Sequence, residues 1–124
     1  MTQANREIAQ VVSPGAPGLP VLDFVFLGLG PDGHVASLFP NAPLEVLACK
    51  EAFLSVDDSP KPPPKRISLS FAAIAAAKEV WVLISGAGKE DALRESLLPT
   101  GKTSLARVVQ LRQQTKIFTD VKLE

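Results

Sequence analysis

His34 is the only histidine in the 124-residue chain, and it closes the stretch GLGPDGH, behind Gly28, Gly30 and Gly33. An imidazole titrates near neutrality, so it can take and return a proton within one reaction cycle. A glycine-rich turn beside it can gather backbone N–H groups in one place, where an anion or a developing oxyanion is held. Two cations stand at comparable positions. Arg66 lies where a proline-rich run meets an apolar stretch, and its guanidinium fork suits a phosphate. Lys89 ends a second glycine turn, Ser85-Gly86-Ala87-Gly88-Lys89, where it can pair with an anion. Each has a plainer reading: an ordinary strand-to-helix turn with His34 tying down a loop, and two surface cations facing water. Spacing alone leaves both readings open for the histidine and favours the plainer one for Arg66 and Lys89.

These residues need elements to position them. Leu22 to Leu27 is apolar apart from Asp23 and reads as a short strand buried on both faces of a parallel sheet. Val35 to Phe39 has few helix breakers before Pro40 and reads as one to two helical turns. Asn41 to Lys50 is a loop or short helix. Ala52 to Val56 is a strand that stops at Asp57 and Asp58, which have no histidine or further acid close in sequence and so read as a solvated turn rather than a metal site. The run Pro60-Lys61-Pro62-Pro63-Pro64-Lys65 reads as an extended, semi-rigid connector aiming the strand Arg66 to Ser70, in preference to a partner-binding proline motif. Phe71 to Lys78 is a short helix with Phe71, Ile74 and Ala75 on one buried face. Glu79 to Ile84 is a strand and Glu90 to Leu98 a helix. Leu105 to Leu111 does not decide its own type, and Lys116 to Val121 is a closing strand. The second glycine turn lacks the G-x-x-x-x-G-K-[ST] spacing, so ATP is a poor fit. Strands alternating with short helices give an α/β architecture, three layers around a largely parallel, Rossmann-like sheet.

Composition narrows the function classes. Thirteen basic and thirteen acidic side chains cancel, so no global field recruits nucleic acid or an anionic membrane. A hydrophobic share of 46% supports a packed core, and the length allows one small domain. Cys49 has no second thiol with which to form an intrachain disulfide or a zinc site. No apolar run approaches the roughly 18 residues of a membrane span, and Met1 to Gln10 lacks the apolar core of a secretory leader, so a cytoplasmic setting is expected.

Residues Gly28 to Pro40, GLGPDGHVASLFP, closely resemble the signature of the 6-phosphogluconolactonases. Ser59 to Leu93 is similar to that family's proline-rich segment, Arg-Ile-Thr-Leu strand and Gly-x-Gly-Lys turn, and Ile117 to Val121 resembles its last strand. The likeness runs from about Leu22 to Val121. It implies the fold shared with sugar-phosphate isomerases and glucosamine-6-phosphate deaminases, and hydrolysis of a sugar-phosphate lactone. In that reading His34 is the general base, Gly30, Asp32 and Gly33 lie around the lactone carbonyl, and Arg66 and Lys89 hold the phosphate. No metal or organic cofactor is implied. The related deaminases continue their motif toward Asn-Glu-Pro, where this chain has Ala36-Ser37-Leu38-Phe39-Pro40.

The family's Gly-Gly-x-Thr-Pro-like phosphate loop and Asp-Glu-Arg segment do not occur in the sequence. Residues 1–20 accordingly read as the end of a helix and a linker, and 21–124 as the C-terminal part of a lactonase domain, a truncated form with the N-terminal part of the fold absent. Two alternatives stay open: a sugar-phosphate deaminase or isomerase of the same superfamily, which the absence of the Asn-Glu-Pro continuation disfavours, and an inactive remnant or association module that pairs through an uncovered sheet edge or apolar face.

Overall fold

The computed structural model describes residues 3–11 and 19–123. The turn expected over 13–20 therefore falls mostly outside the described residues. The helix expected near the start is present as α1 (Gln3–Val11). Its buried Asn5 works as a piece of strand. The amide donates to Glu51 Oε2 and Phe53 O, and its oxygen accepts from the Phe53 N–H at 2.7 Å.

Three strands form the parallel sheet that carries the site: β1 (Phe24–Leu27), β4 (Glu79–Ile84) and β5 (Lys116–Thr119), in the order β1-β4-β5. Register places Val25 beside Val80, Leu27 beside Val82, and Val82 beside Ile117. Between β1 and β4 the chain makes the short helix α2 (Leu44–Leu47), the antiparallel pair β2 (Phe53–Val56) and β3 (Arg66–Leu69), and the helix α3 (Phe71–Ala76). Between β4 and β5 it makes α4 (Glu90–Ser96) and α5 (Ser104–Leu111). The fold is mixed α/β with a mainly parallel sheet, as the alternating pattern predicts.

Local chemistry explains where the helices begin. Ser70 accepts the Ala73 N–H ahead of α3, and Thr103 accepts the Ala106 N–H ahead of α5, so each helix starts with an orphan donor satisfied. The undecided segment near Leu105 is thus a helix. The C-terminal end of α3 is satisfied from a distance: Arg112 donates from Nη1 to the carbonyls of Ile74, Ala75 and Ala77. Desolvation by burial lowers the Arg112 pKa from its ordinary value, opposed by attraction to Glu79.

Val25, Leu27, Val80, Val82 and Ile84 point to one side of the sheet and join Phe71, Ile74, Leu93, Leu105 and Val108 in a single core. The strand period of two sends their neighbours to the other side. There Phe24 is 48% exposed and Phe26 61% exposed, and both rings pack against Trp81. The expectation that β1 is buried on both faces is therefore corrected: among the described residues, helices cover one face only.

Two local expectations also change. Val35 to Phe39 is not helical. Ala36 has φ 51°, and the Leu38 N–H returns to Val35 O at 2.9 Å, which closes a turn instead of opening a helix. The proline run is not an extended connector either. It bends, and the Ser59 N–H reaches Pro64 O at 3.0 Å, because Arg66 collects the carbonyls of Lys61, Pro62 and Pro63 around its guanidinium.

Candidate active site

Strand β1 delivers the chain into a loop that folds on itself. The Gly30 N–H donates to His34 O at 3.0 Å and the Gly33 N–H to Gly30 O at 2.9 Å. Both glycine N–H groups are thus spent inside the loop, which corrects the expectation that they are free to hold an oxyanion. The glycines serve by lacking side chains. A Cβ on Gly30 would overlap the His34 ring, and one on Gly33, whose φ is +83°, would overlap Thr103 Cβ. The Leu105 N–H donates to Gly33 O, so α5 braces the loop from behind.

The same loop turns Asp32 back onto the histidine. Asp32 Oδ1 lies 2.5 Å from His34 Nδ1 and also accepts the His34 backbone N–H at 3.1 Å. Burial by itself raises the Asp32 pKa. The hydrogen bonds from the His34 side chain and backbone, together with attraction to the ring, outweigh it and hold the carboxyl below its ordinary value of 3.8. Asp32 is therefore an anion at neutral pH and accepts a hydrogen bond from Nδ1–H, which leaves Nε2 as the basic atom of the ring. Phe39 packs against the imidazole with ring centroids 4.6 Å apart.

His34, Gly30 and Lys89 line one open cleft of about 410 Å³, with Ser85 and Ala36 also on its wall. Lys89 sits just ahead of α4, and its ammonium donates across to Leu29 O at 2.5 Å. An ammonium has three protons, so two remain for a ligand. The cleft thus unites the ends of β1 and β4, the place where an open parallel sheet offers a crevice beyond its strands.

Not every expected residue meets there. Gly33 is buried behind the loop. Arg66 is not among the residues that line the cleft; its guanidinium carbon lies over the Phe39 ring, 5.5 Å from the centroid. Nε and Nη2 are engaged with the proline-run carbonyls, while Nη1 reaches only Ser37 Oγ at 3.4 Å. Asp32 faces the histidine rather than a ligand, a pairing that sequence reasoning missed although the spacing of two residues was there to suggest it. Ser85 and Phe39 were missed as well, and neither carries a sequence signal beyond its neighbourhood. Asp57 and Asp58 are exposed and apart from the histidine cleft, as the solvated-turn reading expects.

Comparison with known proteins agrees on one family. Residues 1–118 match the family of glucosamine-6-phosphate isomerases and 6-phosphogluconolactonases. The 6-phosphogluconolactonase of Mycobacterium tuberculosis is 48% identical over 93 residues, which are 75% of this chain and 37% of that protein. The chloroplastic 6-phosphogluconolactonase 3 of Arabidopsis thaliana is 40% identical over 106 residues, 83% of this chain and 31% of that protein. Among solved structures, 6-phosphogluconolactonase from Trypanosoma brucei superposes with a TM-score of 0.77 at 30% identity, covering 94% of this chain and 48% of its own. The chain thus spans about a third of the length of these curated relatives and about half of the solved structure.

Proposed function

The chain belongs to the glucosamine-6-phosphate isomerase/6-phosphogluconolactonase family, and from that premise we propose that it hydrolyses 6-phospho-D-glucono-1,5-lactone to 6-phosphogluconate. The observation that carries this reading is the Asp32–His34 pair at the cleft that Lys89 also lines. Asp32 fixes the ring so that Nε2 takes a proton from water as its oxygen attacks the lactone carbonyl. The attack leaves a tetrahedral oxyanion on the carbonyl carbon. Collapse breaks the bond from the carbonyl carbon to the ring oxygen, and the imidazolium returns its proton to that oxygen. Open-chain 6-phosphogluconate leaves.

The phosphate at the far end of the sugar requires its own anchor, because holding a remote group is what keeps the carbonyl near the base. Lys89 and the Nη1 edge of Arg66 are the candidate anchors, with Gly30 and Gly33 leaving room for the His34 ring and Thr103 that shape the loop. This reading takes a small sugar-phosphate lactone as substrate, no nucleic acid, and a cytoplasmic setting. Among the described residues no helix is long and apolar enough to cross a membrane. A spectrophotometric assay of lactone consumption, read against the spontaneous rate, tests it. Turnover above that rate is expected, with Arg66→Ala and Lys89→Ala weakening 6-phosphogluconate binding more than gluconate binding. A rate equal to the spontaneous one would support the second reading.

That second reading is association without catalysis, and one observation favours it. Phe24, Phe26, Leu83 and Phe118 are all large, apolar and exposed on one sheet face around Trp81. Faces of this kind pair with something, and a second copy of the chain is the partner this reading names.

A further inference from the structure

A second cavity, of about 360 Å³, is lined by Phe39 and includes neither His34 nor Lys89. Lys102, Arg107, Asn41 and Gln110 line it beside the apolar Phe71, and no carboxylate does. The acids nearest to this region lie outside it. Glu95 takes the Lys102 backbone N–H at 2.8 Å, and Glu45, Asp57 and Asp58 line a neighbouring cavity across residues 39–42.

Arg107 is the residue that needs an explanation. Its guanidinium is held over the Phe71 ring, 5.1 Å from the centroid, and Nη2 reaches Leu47 O only at 3.5 Å. Nε is fully buried and has no hydrogen-bond partner among the described residues. A buried donor on a cation is costly to leave unmade, and such groups in native folds mark a missing water, ion or ligand. Other polar groups at the cavity are already spent. Gln110 donates to Pro99 O and Gly101 O, Thr103 caps α5, and Ser104 donates to Leu38 O. Arg107, Lys102 and Asn41 are what remains: a fixed fork, a compact charge and a neutral amide, all lining a space with no anion of its own. That set of donors suits an oxyanion with two or three acceptor oxygens.

We propose that this cavity is a second ligand site, which takes a small oxyanion, a phosphate or a carboxylate, independently of the histidine cleft. The test is titration of the isotopically labelled chain with inorganic phosphate at constant ionic strength, followed by NMR at the Arg107 Nε–Hε and the backbone amides of Asn41 and Lys102. Saturable shifts at these three positions are expected. Arg107→Lys keeps the charge and loses the fork, so it should weaken binding by about tenfold. Lys102→Gln, on an exposed side chain and so harmless to the core, should weaken it several-fold. His34→Ala should leave it unchanged. A parallel titration with gluconate separates the sources: tighter binding of phosphate assigns a phosphate site, tighter binding of gluconate a carboxylate site. Shifts that never saturate, or a saturable response that survives both Arg107→Lys and Lys102→Gln, would overturn the proposal, whatever becomes of the lactonase reading.

Discussion

Asp32 Oδ1 and His34 Nδ1, two residues apart in the chain, stand 2.5 Å from each other. So short a loop closes on itself only because Gly30 leaves room for the imidazole. The pair makes a direct prediction. His34→Ala should remove catalysis by about 10²- to 10⁴-fold, the usual contribution of a general base, with the far-UV circular dichroism spectrum unchanged. Asp32→Asn should cost at least about tenfold, because a neutral amide can present its N–H to the ring and stabilise the other tautomer. Equal turnover in the two variants and the parent would remove both residues from the mechanism.

Acid should loosen the same loop. The folded-state pKa of Asp32 lies below its ordinary 3.8, so the unfolded chain binds this proton more readily. The stabilisation is fully present above the unfolded value and is lost as pH falls through the folded one. In Asp32→Asn that part of the acid sensitivity should be absent. The difference in thermal midpoint between parent and variant should shrink as pH is lowered from 5 toward about 3. A difference that is constant over this window would show that the ionised pair contributes nothing to stability.

Much of this was legible in the residues, and the failures have physical causes. Glu79 to Ile84 is predicted and found as a strand with the same bounds, because its β-branched residues and Trp81 fit a pleated surface. The stretch after His34 misleads because Val35 and Leu38 are fully buried by tertiary packing. That packing forces Ala36 into a left-handed conformation no propensity foretells. Prolines fix φ, yet say nothing of which way a run bends, and here Arg66 decides it by gathering three carbonyls. Arg107 drew no notice in the sequence because its isolation depends on what surrounds it once folded.

The aromatic face predicts concentration-dependent self-association. Trp81 is at its centre, and Phe26 beside it is edge-on to that ring and stacked on Phe24 with centroids 5.7 Å apart. Sedimentation equilibrium of the chain should show a dimer that weakens with dilution. Phe26→Lys should shift the population to monomer, because it places a charge where apolar surface must be desolvated. The substitution should leave the core intact, since Phe26 points away from it. A chain that is monomeric at every concentration would remove the second-copy reading.

Activity should depend on more than this loop. In the proposed reaction His34 acts at the carbonyl, whereas a small flexible sugar phosphate must also be held at its far end. Of the candidate anchors, Arg66 has two of its three nitrogens committed to the proline run. Binding energy at the remote phosphate is what converts an encounter into a productive orientation, so a weak anchor lowers turnover as well as affinity. The resemblance assigns a phosphate loop to the family's N-terminal portion. Joining that portion of the Mycobacterium tuberculosis relative ahead of Leu22 should therefore raise kcat/KM by at least about tenfold over residues 1–124 alone. It should raise kcat for the phosphorylated lactone and leave gluconolactone hydrolysis nearly unchanged, since an anchor for phosphate has nothing to grip on the second substrate. If both chains turn over the phosphorylated lactone at the same rate, Lys89 and Arg66 already suffice to hold it.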